Sequence, residues 1–188
     1  MNEKGRSMVE MLGVLAIIGI LSAGGLAGYS KAMFQHRANE TINTVSLVLQ
    51  RLVDLSQRDL GDDFEIQTSD DIVKYGLLES CQVTPNDYCK LPMGELYTYL
   101  PHGIEIHFSS AKECIAFVSA HWENALPLEW WTKGCYLNIG GNFGDTFIYR
   151  LATDTNKTSL AEMTDICEDM CSRDGVCYVE FGLYPIFH

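Results

Sequence analysis

The sequence predicts an α+β fold: a long N-terminal α-helix, then an antiparallel β-sheet head with short helices. Three observations carry this. Met8 to Tyr29 is an apolar run of 22 residues with Glu10 its one charged member. Helical periodicity then continues to about residue 60. Beyond that, short alternating stretches are interleaved with helix-start signals. The 188 residues are 47% hydrophobic and 20% charged, an ordinary globular composition. A net charge of −12 argues against a nucleic-acid surface. That charge is uneven. Residues 1–37 hold four basic side chains (Lys4, Arg6, Lys31, Arg37) against Glu3 and Glu10, which leaves −14 on the rest.

As a helix, the apolar run is about 33 Å long, enough to cross the roughly 30 Å hydrocarbon core of a bilayer. The amino terminus, Lys4 and Arg6 precede it, so the positive-inside tendency keeps that end cytoplasmic and sends the body outward. A secretory signal peptide is the rival reading. The run is longer than a usual signal core, and no small-x-small cleavage site followed by a loop is evident, which favours a retained membrane helix. Glu10 is costly there, by roughly 2–3 kcal/mol, unless it lies at the interface or meets a positive group. Gly24, Gly25 and Gly28 suit close helix packing, and Gly24-Gly25 is the expected place for local unwinding in an assembly.

From residue 31 the helix becomes more polar. Ile42, Val45, Val48, Leu49, Leu52 and Val53 then recur at spacings of three and four, an apolar stripe that needs a head to cover it. Gly61 is a plausible stop. The expected organisation is a segment 1–5, a membrane helix 6–30, an amphipathic continuation 31–60 and a head 61–188.

In the head, Thr68 with Asp71, Ser110 with Glu113 and Ser159 with Glu162 have capping-box spacing and predict three helix starts. Residues 79–93 read as loop. Glu95–Leu100 and Ile104–Phe108 alternate around Pro101-His102-Gly103, which predicts a hairpin. Cys135–Ile139, Thr146–Leu151 and Val176–Leu183 complete a sheet of four or five strands with helices on one face.

All seven cysteines lie after the membrane helix, at positions 81, 89, 114, 135, 167, 171 and 177. That placement fits disulfides in an oxidising compartment, and the odd number leaves one thiol over. Connectivity is not fixed by sequence, although Cys81–Cys89 is a natural local bridge. Zinc is disfavoured, because the spacings of Cys167, Cys171 and Cys177 do not match paired Cys-x-x-Cys. The acidic cluster Asp165, Glu168, Asp169 and Asp174 lacks a calcium loop and reads as a solvated rim. Gly140–Gly144 lacks the lysine and spacing of a phosphate loop. No metal, cofactor or catalytic constellation is expected. Asn39-Glu40-Thr41 and Asn156-Lys157-Thr158 match a glycosylation sequon.

Lys4-Gly5-Arg6-Ser7-Met8-Val9-Glu10 followed by the apolar run resembles the type IV prepilin signature, found in type IV pilins and in type II secretion pseudopilins. The order of elements, with Lys112-Glu113-Cys114-Ile115-Ala116 on a helix after the hairpin and Trp122 beyond, is similar to type IVb pilins. The resemblance implies a pilin-like fold and cleavage between Gly5 and Arg6 by a prepilin peptidase, with methylation of the new amine. Arg6 stands where such proteins usually carry Phe or another apolar residue. It implies an N-terminal amine set against Glu10 of a neighbouring subunit, and polymerisation through the helix with other copies or related pilins. It further implies an inner-membrane assembly platform as partner, membrane lipid before assembly, and a periplasmic or cell-surface filament afterwards. It pairs Cys114 with Cys167 and Cys171 with Cys177, and leaves Cys135 over. The rival in the same family is a pseudopilin. A rival of another class is a membrane-tethered exported enzyme or sugar-binding adhesin using Trp130, Trp131 and the acidic cluster.

Overall fold

The computed structural model describes residues 3–58, 66–99, 103–122, 125–126, 136–140, 146–149 and 159–183. The chain divides into two compact units, Met1–Arg37 and Ala38–His188. One helix, α1 (Glu3–Ser56), supplies all of the described part of the first and opens the second. It begins a little before the expected start and ends close to the expected stop. Gly61 lies outside the described residues.

In the second unit α1 presents the stripe that its spacing predicts. Val45, Val48, Leu49 and Leu52 are fully buried, and each such side chain contributes roughly 1.5–3 kcal/mol by leaving water. Two polar ties fix its register. Thr41 Oγ1 accepts from the Met93 amide at 2.9 Å and donates to the Met93 carbonyl at 3.3 Å. The Arg51 guanidinium donates to the carbonyls of Gly76 and Leu77 at 3.1 and 3.0 Å, capping the turn that follows the next helix.

The three head helices start where the caps predict. The first of them, α2 (Ser69–Lys74), is capped by Thr68, whose hydroxyl accepts from the Asp71 amide. That hydroxyl also donates to the Asp71 carboxylate at 2.8 Å and holds this carboxyl below its ordinary range. The contribution is therefore present above the unfolded carboxylate pKa and fades as pH falls through the depressed folded value. Helix α3 (Ala111–Val118) is capped by Ser110. Helix α4 (Leu160–Asp174) carries a complete capping box between Ser159 and Glu162, and ends on Gly175 at φ +71°.

The strands are β1 (Cys89–Lys90), β2 (Glu95–Tyr99), β3 (Gly103–Phe108), β4 (Tyr136–Gly140), β5 (Thr146–Tyr149) and β6 (Cys177–Gly182). They form one sheet in the order β1-β2-β3-β6-β4-β5, antiparallel at every pairing. The predicted hairpin is β2–β3. Strand β1 corrects the reading of residues 79–93 as pure loop, and it brings the sheet to six strands instead of four or five. Two residues are too few to show an alternating pattern, so only the pairing with Leu96 and Glu95 reveals this strand.

Alternation sorts the sheet into two faces. Leu96, Ile104, Ile106, Phe108, Leu137, Ile139, Val179 and Phe181 are buried on one face. Helix α3 packs there through Phe117, whose ring lies 5.2 Å from Phe108 and 4.5 Å from Trp122. The Trp122 indole donates to the Phe117 carbonyl at 2.8 Å, so its one polar atom is satisfied in the core.

Two substitutions probe this framework. Gly94 sits at φ +85°, and a Cβ there would meet the His107 carbonyl oxygen at 2.6 Å and the Phe108 ring at 3.0 Å. Gly94→Ala is expected to destabilise the head by about 2 kcal/mol or more, through backbone strain and a contact that cannot yield. Urea denaturation with an unchanged m-value checks it. Thr98 is buried on the apolar face with its hydroxyl unpartnered among the described residues. Thr98→Val keeps the shape, removes the orphaned group and is expected to stabilise by about 1 kcal/mol. A raised thermal midpoint is the readout.

Candidate membrane and assembly segment

Residues 8–29 are helical throughout and exposed on every side. Ile17, Leu21 and Leu26 stand open to the surroundings, as does every other residue of the run. A helix that is apolar all round and covered by nothing cannot be at rest in water; it needs lipid or other apolar helices. By length and composition it is long and apolar enough to cross a membrane.

Gly5 and Arg6 lie in the first turns of α1. Glu10 stands exposed on the helix surface, two residues after Met8 opens the apolar run. Gly24 and Gly28 are four residues apart and share a face, with Gly25 beside them. A Cβ added at any of the three would meet nothing within 4 Å, so the space beside them is open. Helix α1 runs through Gly24-Gly25 without interruption.

Cysteine chemistry is confined to the second unit. Three disulfides join Cys81 to Cys89, Cys114 to Cys167 and Cys171 to Cys177. These are the local bridge and the two pairs that the resemblance implies. The first closes the loop before β1, the second ties α3 to α4, and the third ties the end of α4 to the start of β6. Cys135 lies outside the described residues, as do His102, Trp130, Trp131, Gly141–Gly144 and Asn156–Thr158. In the other sequon Thr41 is buried and engaged with Met93.

The acidic cluster on α4 is exposed at Asp165, Glu168 and Asp169, and Asp169 pairs with Arg173 at 2.8 Å. Among the described residues no group of three or more potential metal ligands converges.

The second face of the sheet carries a polar and aromatic cluster that the sequence reading did not single out. The pairing register places Tyr97, Glu105, Glu180 and Asn138 in one row across four strands, with Glu95, His107 and Tyr178 in the next. His107 Nε2 lies 2.9 Å from Glu105 Oε2, and its ring sits between Tyr88 at 4.9 Å and Tyr178 at 5.6 Å. Asn138 Nδ2 donates to the Glu180 carboxylate at 3.4 Å. Burial, together with the neighbouring Tyr97 and the negative charge of Glu105 and Glu95, pushes the Tyr88 hydroxyl up from its ordinary value. Glu105 and His107 alternate with Ile104 and Ile106, so the period of two was the available signal. Among the described residues the one side-chain hydrogen bond of His107 is to Glu105.

Scans against protein-family models, curated proteins and solved structures return no match to this chain.

Proposed function

We propose that this chain is a structural subunit of a type IV pilus-like filament. It is made as a prepilin and held in the bacterial inner membrane by residues 8–29, with its amino terminus cytoplasmic. A prepilin peptidase cuts between Gly5 and Arg6, and an assembly platform feeds the mature subunit into a polymer. The observation that supports this best is the wholly exposed apolar helix of the first unit, belonging to the same α1 whose later stripe is buried in a disulfide-bonded α+β head. Lipid covers that exposed surface first and neighbouring copies cover it afterwards. The exchange is of one apolar environment for another, so leaving the membrane costs little hydrophobic free energy.

Glu10 directs the exchange. Its carboxylate is a liability in a low-dielectric environment and a strong attractor for the new α-amine at Arg6 of an incoming subunit. Glu10→Ala is expected to lower filament yield at least about tenfold while leaving membrane insertion intact, because about 1.4 kcal/mol of assembly free energy is worth that factor. The measurement is sheared-filament yield beside membrane-fraction abundance, in a bacterium carrying a type IV assembly system. Unchanged yield from the Glu10→Ala variant would contradict the role of the acid. Assembly into short periplasmic rods without surface fibres would assign the chain to the pseudopilin branch.

A further inference from the structure

We infer that Lys31 and Arg37 form a collar that binds the phosphate headgroups of anionic phospholipids where the helix leaves the bilayer. This rests on the membrane-spanning part of the reading above and adds a lipid partner to it. A helix entered at Met8 reaches Tyr29 after about 33 Å, the far edge of the hydrocarbon core. Tyr29 is 65% exposed there, an amphipathic ring at the depth where such rings collect. Lys31 follows about 3 Å beyond it and Arg37 about 12 Å beyond.

Both cations are exposed, and neither enters an ion pair or side-chain hydrogen bond among the described residues. Six positions apart, they leave the helix about 120° from one another, so they grip it from two sides and do not form a patch. Helical side chains tilt toward the N-terminus, which here is back toward the bilayer, and long cationic stems extend that reach. No carboxylate side chain occurs between Glu10 and Glu40, so Lys31 has no acidic neighbour within two helical turns and Arg37 has only Glu40, three positions further from the bilayer. The residues after 37 carry −14 and are repelled by an anionic surface. The attraction is therefore concentrated at the neck, where it sets the depth of the helix in the bilayer.

The test uses the unprocessed full chain in nanodiscs of equal phosphatidylcholine and phosphatidylglycerol, with retained lipids counted by native mass spectrometry. Wild-type protein is expected to retain phosphatidylglycerol over phosphatidylcholine by about fivefold or more, since each cation near an anionic surface is worth roughly that factor. K31Q/R37Q is expected to lower that ratio by about fivefold or more, and K4Q/R6Q, which removes the cations of the opposite end, to leave the share that Lys31 and Arg37 supply. No preference in wild type, an unaltered preference in K31Q/R37Q, or its loss in K4Q/R6Q alone would overturn the collar. Release of the protein from vesicles by alkaline carbonate would instead show that the chain does not span, which separates failure of the membrane reading from failure of the collar.

Discussion

Replacing Cys114 and Cys167 together by alanine is expected to cost the head about 4 kcal/mol. The bridge closes a loop of 53 residues between α3 and α4, and loop-closure entropy of that length gives this figure. The same relation gives about 2–2.5 kcal/mol for Cys81–Cys89 and Cys171–Cys177, which span 8 and 6 residues. Chemical denaturation of the full chain in mild detergent should rank the three double variants in that order. A Cys114/Cys167 variant as stable as the other two would show that α3 and α4 are held by packing alone. Reductant should also lower wild-type stability, because the three bridges persist only under oxidising conditions.

Phe117→Ala is expected to cost about 3–5 kcal/mol. The Phe117 ring is fully buried where α3 meets the sheet, against Phe108, Trp122 and Phe181. Those neighbours are ring systems held by strand pairing and by the indole hydrogen bond, so they cannot collapse into the space. A change in the near-ultraviolet circular dichroism of the aromatic side chains reports the loss of packing, and denaturant unfolding gives its size. A cost under about 1 kcal/mol would mean that α3 does not anchor the core.

What the sequence revealed, and what it hid, follows from the range of each interaction. The helix starts at Ser69, Ala111 and Leu160 were legible because capping is settled within four residues; each N-cap hydroxyl accepts from the amide three residues on, while the full reciprocal box forms at Ser159–Glu162 and the Glu113 carboxylate turns to Ser109 instead. The β2–β3 hairpin was legible for the same reason: alternation and a turn are local. Strand order was not. Strand β6 lies between β3 and β4, and only pairings such as Ile106–Val179 and Ile139–Val179 establish that. The tie from Thr41 to Met93 spans 52 positions and leaves no local signature. The pairing of Cys114 with Cys167 came from a likeness in element order and not from spacing. In the candidate segment, the apolar run and its lone acid were plain from composition. The His107–Glu105 pair was missed because a charged residue on the polar side of a strand normally faces water; its cross-strand aromatic neighbours become visible only with the register.

Residues 8–29 are proposed first to cross a membrane and then, after loss of a short leader, to form the packing core of a polymer. Intact-mass spectrometry of the protein recovered from membranes of a producing bacterium tests this most directly. The expected chain begins at Arg6, retains the apolar helix and has six cysteines oxidised in the three pairs Cys81–Cys89, Cys114–Cys167 and Cys171–Cys177. A mature protein that begins at Met1, or one cut beyond Tyr29 and released as a free head, would contradict it.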